Sequence, residues 1–177
     1  RFAGARFFHG AATGLDLTGR RVLCDNRPPV PYDLLSINTG SSPNTAQVPG
    51  ATGNVVPVKP INGFLDRWEA LRARAVDQRQ PMRIAVVGAG AGGVEILLAI
   101  QFRLRRLRAE TGRTADDIAY HLFSESAEIL PTHNARVRGA FRQALADRGV
   151  TVHAGAAVVE VSPGRLRTAG GEEVEAD

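Results

Sequence analysis

Cysteine is almost absent from this sequence of 177 residues, which contains only Cys24. A single cysteine forms no intrachain disulfide and no C-x-x-C redox pair, so the chain alone cannot carry out thiol–disulfide chemistry. The four histidines fall at no spacing typical of metal ligands, and no nucleophile-elbow sequence surrounds a serine. We therefore predict no metal site and assign no catalytic residue.

Long apolar runs are also absent, although 44% of the residues are hydrophobic. No run is long enough to span a bilayer, and no signal peptide stands at the start. We expect a cytoplasmic protein whose contact with a membrane, if it has one, is peripheral. Because the first residue is Arg1 rather than Met, we also expect a fragment or a processed product.

An excess of acidic residues is lacking too, since the formal net charge is +4. The basic residues are mostly arginines in helical stretches, such as Arg103, Arg105 and Arg106, which is typical of a solvated helix face. The sequence has neither zinc-finger spacing nor an RNP-like aromatic motif, so we expect no nucleic-acid partner.

A glycine-rich turn within residues 82–95 carries the functional prediction. A short β-branched apolar run ends at glycines and an amphipathic helical pattern begins at once, with Gly88, Gly90 and Gly93 at G-x-G-x-x-G spacing. The first glycine permits a sharp turn, the second lets a pyrophosphate approach the backbone, and the third lets the helix lie close to the strand. Amide groups at the helix N-terminus would then face the phosphates of a dinucleotide. The predicted cradle consists of Gly88, Gly90, Ala91, Gly92 and Gly93.

An acidic residue, Glu125, stands at the end of the next predicted strand. A carboxylate there can accept hydrogen bonds from the adenosine ribose of NAD and would repel the additional phosphate of NADP. It lies farther along than the usual ~20 residues, and we attribute the excess to a polar insertion at residues 110–117. Glu95, expected in the first turn of the helix, either interacts with the helix dipole or borders the nicotinamide. His133 follows in a loop near which an adenine would rest.

Two other functions are open at this point. Gly88, Gly90 and Gly92 also fit the G-x-G-x-G turn of methyltransferases that bind S-adenosylmethionine. A non-catalytic module that binds NADH is the second alternative. The unbroken helix beyond Gly93 and an antiparallel pattern at the end of the chain favour the dinucleotide-binding interpretation over the methyltransferase.

The order of elements predicts an α/β fold with a Rossmann-type domain, a parallel sheet and an antiparallel meander. In the first region we predict strands at residues 20–23 and 32–38, then a helix at 63–76 with Asn62 as its N-cap. The later predictions are strands at 83–87, 118–123 and 150–153, helices at 92–108 and 134–148 with Gly149 after the second, and meander strands at 159–161, 165–168 and 173–176.

Several segments of the chain carry recognisable motifs. Residues 32–41 fit the pattern Y-D-x-L-x-x-x-T-G-S, residues 88–95 fit G-x-G-x-x-G-V-E, and the sequence Ile-Leu-Pro stands at 129–131. Together with the pattern of residues 146–177, these motifs resemble those of the FAD- and NAD-dependent pyridine nucleotide-disulfide oxidoreductases. The chain looks closest to the NADH dehydrogenase-like branch. Residues 34–41 and 58–71 resemble the form that is fused to selenide, water dikinase.

This resemblance implies that the full protein transfers a hydride from NADH to FAD and then electrons to an acceptor such as a quinone. Thr39, Gly40 and Ser41 would lie beside FAD. The family implies a homodimer. Residues 1–60 would be a partial FAD-domain segment, 61–81 a connecting helix, and 82–177 the NAD(H)-binding domain without its last parallel strand. In the family, a first G-x-G-x-x-G near the N-terminus holds the adenosine phosphates of FAD. That fingerprint is not in this sequence, so we expect FAD only in the full-length protein.

Overall fold

The computed structural model describes residues 4–40, 45–77, 81–112 and 117–177, with only the backbone of Ala46 and Asn62. The chain falls into two compact units, Arg1–Gly40 and Ser41–Asp177. The first contains one antiparallel sheet, and the second contains a parallel sheet, an antiparallel sheet and the helices. None of the helices in these described ranges combines the length and the apolar composition that a bilayer crossing requires.

Three antiparallel strands make up the first unit. They are β1 (Ala12–Asp16), β2 (Arg21–Cys24) and β3 (Val30–Pro31), and β2 lies between the other two. The tight turn after β1 is closed by the Gly19 N–H, which donates to the Asp16 Oδ1 at 2.8 Å. The second strand confirms the one predicted at residues 20–23.

The strand predicted at residues 32–38 is wrong. β3 pairs with β2 only through Val30 and Pro31, and the segment that follows has no strand structure. Leu34 is 92% exposed and Ile37 is 64% exposed, so the apolar positions that suggested a strand are not covered by any described residue. An extended segment becomes a strand only where a neighbouring strand completes its hydrogen bonds, and none of the described strands does so here.

In the second unit, a 3₁₀ turn (Thr45–Gln47) and a short helical turn, α1 (Ala51–Asn54), come before the long helix α2 (Ile61–Asp77). The helix predicted at residues 63–76 is confirmed. The prediction of Asn62 as its N-cap is wrong, because the helix starts at Ile61 and Asn62 is its second residue. The Pro60 carbonyl already accepts the N–H of Phe64 at 3.4 Å. A proline just before a helix fits because its fixed φ suits the start of a helix and the amide hydrogen it lacks is not needed there.

Three parallel strands form the central sheet of this unit, in the order β4 (Met82–Val87), β5 (Ile118–Ser124), β6 (Val150–Ala154). They are connected by α3 (Ala91–Glu110) and α4 (Ala135–Asp147). These elements confirm the predicted Rossmann-type arrangement. α3 ends two residues later than predicted, so part of the additional length before the second strand lies in the helix rather than in a polar insertion.

The ends of α4 follow the local sequence. Asn134 is its N-cap, and the Asn134 Oδ1 accepts the N–H of Val137 at 3.0 Å. Gly149 follows the helix with φ +68°, a left-handed conformation that glycine adopts without steric cost. The prediction that Gly149 follows this helix is therefore confirmed. Asn134, which was predicted as the first residue of the helix, is its N-cap instead.

One face of the parallel sheet packs against the helices and forms the core. Arg108 is 1% exposed within it, where its Nε donates to the Ala75 carbonyl at 2.9 Å and its guanidinium pairs with Asp117. Burial raises the pKa of Tyr120 to about 12, so this side chain stays neutral. The buried apolar side chains on this side include Ala75, Met82, Ile84, Val94, Leu97, Ile100, Leu104, Ile118, Leu122, Leu145 and Val150.

An antiparallel meander follows the parallel sheet, as predicted. Its strands are β7 (Val158–Ser162), β8 (Arg165–Thr168) and β9 (Glu173–Glu175), with β8 in the middle. Side chains alternate between the two faces of a strand, so residues of β4 to β6 that do not enter the helical core face the other way. On that side, the Arg83 and His153 side chains contact acidic residues of the meander and its turn.

Arg83 makes the first of these contacts. Its guanidinium pairs with the Glu175 carboxylate, and its main-chain N–H donates to the Asp177 Oδ2 at 2.8 Å. The Arg83 carbonyl accepts the Asp177 N–H at 2.9 Å. The end of the described chain is therefore hydrogen-bonded to the main chain of β4.

A chain of two histidines and a glutamate makes the second contact. The Nδ1 of His121 lies 3.1 Å from the Nε2 of His153, and the Nδ1 of His153 lies 3.2 Å from the Glu172 carboxylate. The His153 ring also stacks on Phe123, with 4.2 Å between ring centroids. Burial lowers the pKa of His121, the nearby His153 and the Arg83 guanidinium lower it further, and the Glu172 carboxylate opposes them.

His121→Asn is expected to make folding stability less sensitive to mild acid. The pKa of His121 in the folded chain lies below the unfolded value of about 6.5, so the unfolded chain binds more protons as the pH falls through that value. Wild-type stability therefore declines from that pH downward, whereas asparagine keeps an N–H donor near His153 and does not titrate. The measurement is the free energy of unfolding in urea between about pH 5 and 8. His133→Asn, at an exposed histidine, is the control, and equal slopes for wild type and His121→Asn would contradict the prediction.

Candidate functional site

The candidate site lies where β4 turns into α3. The strand ends at Val87, Gly88 has φ +107°, and the helix begins at Ala91. The Gly88 N–H donates to the Phe123 carbonyl at 2.9 Å, so the turn starts level with the end of β5. Residues with a side chain rarely adopt this φ, which explains the glycine at position 88. The order strand, tight turn, helix is found at the predicted residues.

Close approach of the helix to the strand explains the glycine at position 93. A Cβ on Gly93 would lie 1.7 Å from the Gly88 carbonyl oxygen and 3.0 Å from its carbon. Both are main-chain atoms, which cannot rotate away as a flexible side chain would. α3 can begin this close to the turn only because position 93 has no side chain.

An open mouth lies above the turn, and it has the features that a pyrophosphate requires. Gly88, Gly90 and Gly92 are exposed, and a Cβ on any of them would meet nothing within 4 Å. Ala91 is exposed beside them. The space that side chains would fill is therefore available to a ligand next to the backbone.

The start of α3 supplies the donors for that ligand. Gly90 is the N-cap and provides no side-chain hydrogen bond, and the first intrahelical bond runs from the Val94 N–H to the Gly90 carbonyl at 3.1 Å. The amides before Val94 consequently have no acceptor within the helix. Together with the positive end of the helix dipole, these amides make the mouth suited to an anion, and the residues present fit a dinucleotide pyrophosphate.

The loop after β5 holds this turn from the side. Ala89, which is 4% exposed, has its carbonyl hydrogen-bonded to the Leu130 N–H at 2.8 Å. Leu130 is 3% exposed and has φ +51°, a left-handed conformation that costs a residue with a side chain about 1–3 kcal/mol. In the sequence, residues 129–131 are notable only for their resemblance to a family pattern. No residue type or spacing there indicates a left-handed leucine or its contact with the glycine turn.

Glu125 is exposed and directly follows the last residue of β5. Val87 pairs with Phe123, so this carboxylate follows β5 at the same edge of the sheet at which β4 enters the glycine turn. Main-chain bonds hold the loop: the Ala156 N–H donates to the Ser124 carbonyl at 2.7 Å and the Gly155 N–H to the Ser126 carbonyl at 2.9 Å.

Glu95 does not lie in the first turn of α3, and that prediction is wrong. The helix starts at Ala91, which makes Glu95 its fifth residue, and the first turn contains no acidic side chain. The side chain is exposed. Because the dipole effect is confined to the first turn, the dipole interpretation of this residue loses its basis, and the alternative of a contact with the nicotinamide stays a prediction.

The remaining predicted residues are His133 in the second unit and Thr39, Gly40 and Ser41, which were predicted to lie beside FAD. His133 is exposed, and its Nδ1 is 3.3 Å from the Thr132 hydroxyl. In the first unit, Thr39 and Gly40 are exposed, and Gly40 has φ +74° with no atom within 4 Å of a Cβ position. Ser41 lies outside the described residues. Among the described residues, no group of three or more His, Cys, Asp or Glu side chains could hold a metal ion.

Known proteins resemble this chain over nearly its whole length. A family model described as pyridine nucleotide-disulphide oxidoreductase matches residues 3–177. An NADH dehydrogenase-like protein of Mycobacterium tuberculosis is 27% identical over 176 residues, which cover 98% of this chain and 44% of that protein.

Two solved structures have similar folds. The sulfide:quinone oxidoreductase of Aquifex aeolicus matches with a TM-score of 0.73 and 16% identity, over 96% of this chain and 40% of the other. NDH2 of Plasmodium falciparum, solved in complex with NADH, matches with a TM-score of 0.66 and 17% identity, over 90% of this chain and 37% of the other. At these identities the likeness shows the fold alone. The chain spans less than half the length of each of these proteins.

Proposed function

The chain belongs to the pyridine nucleotide-disulphide oxidoreductase family, and from that premise we propose that it is the NAD(H)-binding portion of an FAD-dependent, NADH dehydrogenase-like oxidoreductase. One observation carries the proposal. An uncapped helix N-terminus opens into a mouth in which Gly88, Gly90 and Gly92 leave room beside the backbone. Exposed amides in such a mouth bind the diphosphate of a dinucleotide through charge-assisted hydrogen bonds.

The residues around the mouth would share the binding of NADH. The amides of Gly90, Ala91, Gly92 and Gly93 would hold the pyrophosphate, with Gly88 making the turn. Glu125 would accept hydrogen bonds from the adenosine ribose, and Glu95 would border the nicotinamide. When bound, NADH would supply a hydride to the flavin, and this chain's contribution is to hold and orient it.

The flavin side of the proposal rests on fewer residues. Thr39, Gly40 and Ser41 would border FAD in a longer polypeptide, with residues 1–60 as the flavin-domain segment and 61–81 as the connection. The exposure of Thr39 and the open left-handed position of Gly40 support a ligand beside this loop. A quinone-like electron acceptor, a homodimer, a cytoplasmic location with peripheral membrane contact, and fusion to selenide, water dikinase stay predictions from the family resemblance.

Calorimetric titration of the 177-residue chain tests the proposal directly. NADH, NADPH and S-adenosylmethionine are added in separate experiments, and we expect saturable binding of NADH with weaker binding of NADPH. Binding of S-adenosylmethionine in place of NADH would support a methyltransferase instead. A non-catalytic module would bind NADH equally well, so a polypeptide that includes the flavin domain is then mixed with NADH, and bleaching of the flavin absorbance is followed. An unreduced flavin would favour the non-catalytic module.

Glu125→Ala is expected to weaken NADH binding about tenfold, the effect of losing a hydrogen bond to a charged group, while NADPH binding stays equal or improves. The ratio of the two dissociation constants, measured by the same titration, is the result to compare. Glu110→Ala is the matched control, because this exposed glutamate lies at the far end of α3, roughly 30 Å from the turn. An unchanged ratio in Glu125→Ala would remove Glu125 from the ribose site.

A further inference from the structure

The most unusual backbone conformation near the candidate site belongs to Leu130. It is one of two non-glycine residues with positive φ in the described ranges, the other being Arg20 in the first unit. It is buried rather than exposed in a turn, with 3% of its surface accessible. A left-handed, buried leucine persists only where its surroundings compensate, and such positions cluster at ligand-binding sites.

The left-handed conformation places both main-chain groups of Leu130 in hydrogen bonds. Its N–H donates to the Ala89 carbonyl at 2.8 Å, and its carbonyl accepts the His133 N–H at 2.9 Å. Ala89 lies inside the glycine turn, between Gly88 and Gly90. The loop after β5 thus holds the turn by a main-chain bond to its second residue.

This bond determines which way the next amide points. In a planar trans peptide the carbonyl of one residue and the N–H of the following residue point in opposite directions. Because the Ala89 carbonyl points to the buried Leu130, the N–H of Gly90 points away from Leu130. Gly90 itself is exposed, and a Cβ there would meet no atom within 4 Å, so space for a ligand is open beside this residue.

We propose that Leu130 is a positioning residue for the dinucleotide site, and that its left-handed backbone orients the Gly90 amide toward the pyrophosphate. This inference rests on the proposed function, because it assigns a role toward the same ligand. Leu130 touches no ligand in this role; it acts through the Ala89–Gly90 peptide. The contribution comes from the conformation of the backbone and not from the leucine side chain.

Three substitutions separate conformation from packing. Leu130→Ile keeps the volume but adds a branch at Cβ, which disfavours positive φ. Leu130→Met keeps the volume without the branch. Leu130→Gly removes the buried side chain yet adopts the left-handed conformation at no steric cost. We expect Leu130→Ile to weaken NADH binding about tenfold, as for one lost charge-assisted hydrogen bond, and the other two to bind within about threefold of wild type.

Two quantities are measured for wild type and each variant, in addition to the melting temperature. One is the NADH dissociation constant, and the other is the Gly90 amide resonance in a ¹⁵N–¹H spectrum of the ligand-free chain. A positioning role predicts that Leu130→Ile shifts this resonance, that Leu130→Met leaves it unchanged, and that Leu130→Gly retains binding although it melts earlier. If Leu130→Gly loses more affinity than Leu130→Ile, the residue acts by packing and the proposal is overturned.

The amide spectrum also distinguishes this inference from the proposed function. If wild type binds no NADH, the proposed function fails, and the Gly90 resonance of Leu130→Ile still tests whether Leu130 orients the amide. If wild type binds NADH and Leu130→Ile binds it equally with an unshifted Gly90 resonance, only the positioning role fails. If the Leu130→Ile chain does not fold, Leu130→Gly is compared with Leu130→Met instead. Loss of NADH binding by Leu130→Gly would then contradict the positioning role.

Discussion

Gly90→Val is expected to weaken NADH binding by about 100-fold or more, equivalent to about 2.8 kcal/mol, while the thermal stability of the chain stays close to wild type. Gly90 has φ −73° and ψ 179°, an extended conformation that any residue adopts, and a Cβ there would meet no atom of the protein within 4 Å. The substitution is therefore compatible with folding. Its branched side chain would fill the mouth and keep the phosphates away from the amides, with the loss of charge-assisted hydrogen bonds at about 1.5–3 kcal/mol each.

The control for this variant is Gly139→Val. Gly139 is also exposed, also has no atom within 4 Å of a Cβ position, and lies on α4 rather than at the turn. Calorimetric titration and a thermal melt are performed on both variants. Wild-type NADH affinity in a folded Gly90→Val chain would mean that the diphosphate does not lie over position 90.

Gly93→Ala is expected to lower the free energy of unfolding by about 3 kcal/mol or more, at the upper end of the cost of overpacking. The added methyl group would overlap the Gly88 carbonyl oxygen, and relief requires moving either the turn or the first turn of α3. The helix packs on the sheet through Val94 and Leu97, which are 1% and 0% exposed, so a shift of the helix also disturbs the core. Urea unfolding measures the loss.

Gly92→Ala provides the comparison for that experiment. It stands one residue earlier in the same helical turn, with no atom within 4 Å of its Cβ position, so its stability should be equal to or slightly above that of wild type. A Gly93→Ala chain as stable as Gly92→Ala would show that the contact of Gly93 with Gly88 is not the reason for glycine at this position. The four glycine variants together separate the glycine needed for folding from the glycine needed for binding.

The turn and its flanking elements were predictable from the sequence because each depends on local signals. The β-branched run of β4, the glycine spacing and the periodicity of α3 involve residues close together in the chain. Glu125 was placed at a strand end for the same reason. The extent of α3 was predicted less well, since Glu110 and its neighbours are polar and carry no periodic signal that distinguishes a helix end from a loop.

Features that depend on distant partners were not predictable. Residues 32–38 have the composition of a strand, but a strand requires a neighbour, and β3 pairs with β2 through two residues only. The left-handed conformation of Leu130 goes together with its hydrogen bond to Ala89, which lies 41 positions away in the chain (130 − 89). A single sequence contains no signal for a main-chain hydrogen bond of that kind, because every residue except proline can donate it.

The parallel sheet is joined to its two neighbours by different forces. Toward the helices it is held mainly by buried hydrocarbon, with one ion pair between Arg108 and Asp117. Toward the meander it is held by the ion pairs of Arg83, the hydrogen bonds of Asp177, and the chain of His121, His153 and Glu172. Ionic strength and acidity act more strongly on the second junction, because its ionisable groups are more numerous and mostly more exposed than Arg108 and Asp117 in the first. Acid or high salt should therefore loosen the contacts with the meander before it separates α3 from β4. The candidate nucleotide site lies between β4 and α3, so it should keep its structure under these conditions.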